Sequence, residues 1–200
     1  MASEKEKMLS EKPYLSSDDE LATERLLAQS LCFEINHIPP AEIEKRNELY
    51  RKLLGSTGEK FLIEIPFHCD YGYNIEIGEN FYSNYNCIIL DCARVRIGDN
   101  VMLAPNVSIF TAGHPIDAEM RNSGLEYAIP VSIDNNVWIG GNTVINPGVS
   151  IGSNTVIGSG SVVTKDIPSN VIAAGNPCKV IRKITEEDRQ FYFRKRKFEE

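Results

Sequence analysis

The sequence predicts a mainly β fold, a solenoid of short strands wound round one axial core, and three observations carry that prediction. From Ile133 onward an aliphatic residue recurs at every sixth position, as Ile133, Ile139, Ile145, Ile151, Ile157 and Val163. Two residues ahead of each runs a smaller series: Val131, Val137, Thr143, Val149, Thr155 and Ser161. The residue after the aliphatic one is usually small or turn-forming, as at Gly98, Ala104, Asp134, Gly140, Asn146, Gly152 and Gly158. A helix needs a period of about 3.6 and a free amphipathic strand about 2, so a sustained six belongs to neither. It suits strands that turn a corner every six residues and point the aliphatic side chain into a shared core, which stacked coils bury together. The residues after the corners are expected to supply positive φ, which Gly, Asn and Asp reach at little cost. With the interior filled, function is expected on the outside or between subunits.

Taken in order, residues 1–60 are rich in Glu, Lys, Arg and Leu. Ser17 or Asp18 is placed to cap a helix whose apolar stripe includes Leu21, Leu26, Leu27 and Leu31. After the Pro39-Pro40 break, residues 41–54 read as a second helix. This part is expected to close the first coil of a solenoid spanning 61–168. Ile75, Ile77, Ser83 and Ile89 keep a six-residue step shifted by two, which calls for one lengthened corner near Asp91 to Arg94. Ile97, Leu103 and Ile109, preceded by Val95, Val101 and Val107, are in the main register. Residues 110–130 leave the pattern and return in phase, as an external loop holding "TAGHPID" would. Loops of that length in a compact fold are usually functional or disordered. The final part, 169–200, begins with the extended segment "NVIAAGNPCKVIRKI" and ends in a charged, aromatic tail, 185–198, expected to be helical. The whole reads as one domain with caps.

A chain of 200 residues with 42% apolar composition can bury a sizeable core, and its net charge of −7 gives no support to a nucleic-acid role. The start, "MASEKEKMLSEK", is too charged for a secretory signal, and no apolar run approaches the ~18 residues of a membrane span. A soluble, cytoplasmic protein without a membrane partner is expected. Five cysteines, at 32, 69, 87, 92 and 178, form an odd count without zinc spacing and read as free thiols in a reducing compartment.

Of the three histidines, only His114 lies on the expelled loop; His37 belongs to the N-terminal part and His68 precedes the first clear repeat. A metal site on such a scaffold needs three ligands from neighbouring coils, so no metal is expected. His114 is held between Gly113 and Pro115, where a side chain is presented rather than buried. An imidazole is largely neutral at cellular pH and can accept a proton from an alcohol. Lys179, Arg182 and Lys183, just past the last coil, suit anion binding. Cys87 and Cys92 are the thiols to weigh for a covalent route, and neither has a histidine close in sequence.

The segments "EKMLSEKPY", "FEINH", "FHCDYGYNIEIGENFYSNYN", "IGDNVMLAPNVSIFTAGHPID", "PVSIDNNVWIGGNTVINPGVSIG" and "GSGSVVTKDIPSNVIAAGNPCKVIRKI" cover nearly the whole chain. Through them the chain resembles the hexapeptide-repeat sugar O-acetyltransferases, the maltose, galactoside and nodulation-factor acetyltransferases. The resemblance implies a left-handed parallel β-helix, a homotrimer with active sites between subunits, and transfer of an acetyl group from acetyl-CoA to a sugar hydroxyl. His114 matches the family's general base, and Asn84 the asparagine that steadies the oxyanion. A backbone N–H near Gly141 adds a second donor; such preorganised donors are worth about 3–4 kcal/mol. Asp70, Tyr82 and Asp91 match acceptor-pocket positions. Trp138, Gly141, Ser159, Gly160, Thr164 and Lys165 match the groove for pantetheine and adenine, with Lys179 and Arg182 near the phosphates.

Two positions depart from the galactoside branch: its acidic N-terminal residue is Ser16 here, with Asp18 and Asp19 nearby, and the acidic neighbour of Asp91 is Cys92. Both concern the acceptor, expected to be a sugar such as maltose, glucose or a galactoside. The alternatives are a non-sugar acceptor or an inactive trimeric scaffold.

Overall fold

The computed structural model describes residues 2–198; Met1 and residues 199–200, the outermost positions of the expected cap and tail, lie outside the described residues. A parallel β-helix with three faces makes up the body. The first face stacks Ile75–Ile77, Val95–Ile97, Val131–Ile133 and Ser150–Ile151. Phe61–Ile63, Phe81–Ser83, Met102–Leu103, Trp138–Ile139, Val156–Ile157 and Val171–Ala174 form the second, which Lys179–Lys183 extends antiparallel. The third holds Phe67–Cys69, Cys87–Leu90, Ser108–Phe110, Val144–Ile145 and Val162–Val163.

Both periodic series point inward. Ile133, Ile139, Ile145, Ile151, Ile157 and Val163 are buried in one continuous core with Val131, Val137 and Val149. Thr143, Thr155 and Ser161 stand in the smaller series fully buried, because a carbonyl is within reach of each hydroxyl. Thr143 Oγ1 donates to Gly140 O at 2.7 Å and Thr155 Oγ1 to Pro168 O at 3.0 Å, so no donor is stranded.

The corners differ from expectation in one respect. Positive φ falls not on the residue after the aliphatic one but two later, at Asn100, Asn106, Asn136, Asn142, Gly148, Asn154 and Gly160. The residue directly after is small for a different reason. A Cβ on Gly140 would stand 2.5 Å from Ser159 N of the next coil. The asparagines also stack: Nδ2 of Asn80, Asn100, Asn136 and Asn154 each donates to Oδ1 of the next coil's Asn, at 3.0–3.2 Å, ending at Asn170. Asn136→Ala is therefore expected to destabilise by about 1 kcal/mol more than Asn136→Gly, since only Gly accepts φ of +58° without a Cβ penalty. Urea denaturation of the two variants measures the difference, and equal stabilities would contradict it.

Two corners are lengthened rather than one. Phe61, Phe67 and Ile75 face Phe81, Cys87 and Val95, a step of 20 residues, whereas Ser132, Trp138 and Val144 face Ser150, Val156 and Val162, a step of 18. The extra residues sit between Cys69 and Ile75 as well as between Leu90 and Val95. His68 thus belongs to the first coil, on strand Phe67–Cys69, rather than preceding the repeats.

At the N-terminus α1 (Glu4–Leu9), α2 (Asp19–Asn36) and α3 (Ile43–Leu53) precede the first coil. Asp18 caps α2, its Oδ1 accepting from Glu20 N at 3.1 Å. The buried face of α2 is Leu21, Ala28, Cys32 and Ile35; Leu26 and Leu27, expected in the stripe, are exposed. With Tyr50 and Leu53 of α3, its Ala28, Cys32 and Ile35 close the open end of the core, Tyr50 meeting Phe67 edge-on at 5.6 Å. The C-terminal tail is not the expected α-helix: a 3-10 turn, Glu186–Gln190, leads into a hairpin of Phe191–Phe193 and Arg196–Lys197. Among the described residues no helix is long and apolar enough to cross a membrane.

Candidate active site

The expelled segment is an ordered hairpin. Ala112–Gly113 pairs antiparallel with Leu125–Ala128, and α4 (Ala118–Asn122) occupies the tip. Asp117 caps α4 through Met120 N at 3.0 Å, and Arg121 Nη1 donates back to Pro115 O and Ile116 O at 3.1 and 2.9 Å. The turn that carries His114 is therefore braced from its own tip. Gly113 leaves room for the Tyr127 ring, which a Cβ there would approach to 2.6 Å.

A third strand joins the hairpin from the far end of the sequence. Tyr14–Leu15 pairs with Leu125–Ala128, Tyr14 lying opposite Glu126. Tyr14 is fully buried in a second core with Met8, Leu21, Tyr71, Cys92, Ala93 and Ala128. The N-terminal segment thus does more than close the solenoid, since it also pairs with the strand that carries Glu126.

His114 Nδ1 lies 3.4 Å from Leu125 O, which suits an Nδ1–H donor and leaves Nε2 free to accept a proton. Nε2 is 4.0 Å from Glu126 Oε1, and the other carboxylate oxygen, Oε2, accepts from Tyr14 OH at 3.0 Å. The ring is 55% exposed and so is open to a reactant.

Asp70 and Asp91 divide the work expected of both. Asp91 is fully buried; its Oδ1 accepts from Asp70 N and Tyr71 N at 3.0 and 2.9 Å, and its Oδ2 from Asn74 N at 3.3 Å. It ties the lengthened corner and does not itself face an acceptor pocket. Burial pushes its carboxyl up to about 6, against the backbone hydrogen bonds that favour the charged form. Asp70 is half-buried, and burial raises its carboxyl too; Cys92 Sγ donates to its Oδ2 at 3.3 Å. Ser16 contributes its carbonyl, which accepts from Arg25 Nη2 at 2.6 Å, while Arg25 Nη1 donates to Tyr71 OH at 2.7 Å. Tyr14, Arg25 and Glu126 were not legible as site residues in the sequence. Only a strand reading of Leu125–Ala128 sets Glu126 beside His114.

The remaining candidates lie elsewhere on the prism. Asn84, Gly141, Ser159 and Gly160 stack along the edge between the second and third faces. Asn84 Oδ1 accepts from Tyr85 N at 2.8 Å, which orients the side-chain amide. Asp70, Asp91, His114, Thr164 and Lys165 stack along the edge between the third and first faces. Tyr82 and Trp138 point outward from the second face, Trp138 half-exposed beside Met102 and Val156. Lys179 and Arg182 end that face, and Arg182 is held by Asp188 through bonds of 2.8 and 2.6 Å.

Comparison with known proteins fits this geometry. Residues 7–58 match the maltose acetyltransferase hexapeptide capping motif, and residues 130–165 match the bacterial transferase hexapeptide of six repeats. The galactoside O-acetyltransferase of Escherichia coli (strain K12) is 48% identical over 179 residues, covering 90% of this chain and 88% of that protein. This chain belongs to the hexapeptide-repeat maltose and galactoside acetyltransferase family. The crystal structure of a maltose O-acetyltransferase from Clostridium difficile 630 superposes with TM-score 0.91 at 57% identity, over 92% of this chain and 99% of that one. A galactoside acetyltransferase in complex with coenzyme A superposes with TM-score 0.96 at 46% identity over 100% of both chains.

In this acetyltransferase a cysteine nucleophile is disfavoured by its surroundings. Cys87 is fully buried and burial pushes its thiol up to about 11; burial raises the Cys92 thiol further still. A thiol needs a depressed pKa and access to act as nucleophile, and neither residue has both.

Proposed function

We propose that the protein transfers the acetyl group of acetyl-CoA to a sugar hydroxyl, in a groove shared by adjacent copies of a homotrimer. The supporting observation is the division of the candidate residues between two edges of the prism. One face separates His114 from Asn84, and strand geometry makes that face roughly 15–20 Å across. One copy cannot bring imidazole and amide to a single reacting carbon. A neighbour that sets its Asn84 edge against the His114 edge can.

The outward side chains favour the same packing. The first face shows Glu76, Arg96, Ser132 and Ser150 to solvent. From the second and third, Leu62, Met102, Trp138, Ile88, Val144 and Val162 point outward, an apolar surface suited to burial between copies.

Acetyl-CoA supplies an activated thioester. Trp138 and Met102 offer a flat apolar shelf for the long thin portion of that substrate, and Gly141, Ser159 and Gly160 let it lie close to the backbone. Thr164 and Lys165 continue the groove for pantetheine and adenine, and Lys179 and Arg182 match the phosphates, with Arg182 exchanging Asp188 for an anion. His114 Nε2 takes the hydroxyl proton as the oxygen attacks the thioester carbonyl, and Asn84 Nδ2 with the Gly141 N–H stabilises the developing oxyanion. Transfer is direct, without a covalent enzyme intermediate.

Heterotrimers test the shared site. Asn84→Ala and His114→Ala chains, each inactive alone, are expected to recover about one quarter of wild-type activity when co-expressed in equal amounts, because a quarter of random pairings unite intact residues. No recovery would mean that one chain supplies both groups. Acceptor class is read from maltose, glucose and galactosides against serine and an amphenicol. Activity only on the latter pair would replace the sugar reading, and a protein silent in titration with coenzyme A would point to a scaffold.

A further inference from the structure

Beside His114 stands a carboxylate, Glu126, that a general base alone does not require. Glu126 sits on the strand that Tyr14–Leu15 and Ala112–Gly113 hold from both sides, so its backbone is fixed. Its side chain is 19% exposed, with Oε2 bound to the buried Tyr14 hydroxyl. Oε1 is left facing His114 Nε2 across 4.0 Å, too long for a direct hydrogen bond. Asp70, a second carboxylate, lies near enough to Glu126 and Arg25 to feel both charges, and Arg25 is held by the Tyr71 hydroxyl at 2.7 Å.

We propose that Glu126 is the specificity-determining residue for the acceptor, receiving a second hydroxyl of a polyol beside the hydroxyl that His114 deprotonates. This rests on the acetyltransferase reading above and adds to it a requirement for at least two neighbouring hydroxyls. A hydroxyl carries one proton. Were a lone alcohol to enter the gap, Oε1 and Nε2 would compete for that proton, and donation to the carboxylate is unproductive. With two hydroxyls on adjacent or next-but-one carbons, one donates to Oε1 and leaves the other's proton to Nε2. Glu126 then orients the acceptor and frees the imidazole for its task. The Tyr14 bond prevents the carboxylate from swinging away, which gives the N-terminal strand a part in acceptor choice.

The test uses full-length enzyme, acetyl-CoA, methyl glucoside and its monodeoxy analogues, with the acetylated position established by NMR of the product. For wild type, removing the hydroxyl on the adjacent or next-but-one carbon from the acetylated one is expected to lower kcat/KM by about 10–100-fold, since Oε1 of the partly buried carboxylate is then left unpaired. In Glu126→Gln the full sugar is expected to fall to within about threefold of that analogue, with the KM for acetyl-CoA unchanged. Tyr14→Phe, which keeps the ring but frees the carboxylate, is expected to lose part of the discrimination. An active wild type whose preference survives in Glu126→Gln, or a variant that loses the same factor on both acceptors, overturns the assignment alone. A wild type that acetylates none of these sugars while binding coenzyme A overturns the sugar reading and this inference with it.

Discussion

Replacement of His114 by Ala is expected to lower the rate of acetyl transfer at least ~10²-fold while coenzyme A affinity stays within about twofold. The imidazole hangs from a turn braced by Arg121, and its side chain is more than half exposed and takes no part in the core. Truncation therefore removes a reacting group and little packing. Nδ1 toward Leu125 O orients the ring so that Nε2 is turned to the gap it shares with Glu126 Oε1, where an acceptor hydroxyl can meet it. Release of the coenzyme A thiol gives the rate, and isothermal titration gives the affinity. Near-normal turnover in the variant would remove His114 from the mechanism. Loss of coenzyme A binding would instead mean that the turn helps build the donor groove.

Asp91→Ala is expected to cost about 3–5 kcal/mol of stability, because three N–H groups of the lengthened corner lose their acceptor inside the protein. The same residue makes stability depend on pH with an unusual sign. Burial pushes its carboxyl up to about 6 in the folded protein, whereas an aspartate of the unfolded chain titrates near 3.9. Between those values the folded state holds a proton that the unfolded state has lost. Asp91's contribution is therefore complete below about pH 4 and is lost as pH rises through about 6. The span corresponds to about 3 kcal/mol. Denaturation of wild type and Asp91→Asn from pH 4 to 7 isolates it: the wild-type advantage is expected to shrink with rising pH. A difference that stays constant would show that the backbone donors, not burial, govern this carboxyl.

Much of the body was legible because a solenoid is nearly one-dimensional. Ile139 needs only Leu103 below and Ile157 above, and each neighbour repeats the same local rule. The corner chemistry was legible in composition but misplaced in position. Gly98 and Gly140 read as positive-φ residues, whereas their smallness answers the close approach of the next coil, and the left-handed backbone falls on asparagines two residues on. Leu26 and Leu27 look in sequence like part of an amphipathic stripe, yet α2 turns Ala28 and Cys32 to the core. Helical spacing alone does not decide between two partly apolar faces of comparable length.

The candidate site was legible only where a residue carries its own chemistry. His114 stands out as an imidazole on an expelled loop, and Asn84 stands out through the family resemblance. Glu126 and Arg25 stand out through nothing, being charged residues in charged company. Tyr14 lies 112 positions from the carboxylate it holds. Asp91 reads as a pocket acid and is in fact the buried acceptor that lets Asp70 sit where it does.

By itself the sequence determined the six-residue winding, the helical cap at its start, the loop thrown out before Val131 and the imidazole upon it. These follow from side chains meeting neighbours a fixed step away, a relation that a linear pattern encodes. Only the tertiary structure decided which edge each candidate occupies, that Tyr14 holds Glu126, and that the other oxygen of Glu126 faces Nε2. Those depend on where distant segments come together, and pairing between Tyr14–Leu15 and Leu125–Ala128 is set by the shape of the folded surface rather than by any local periodicity.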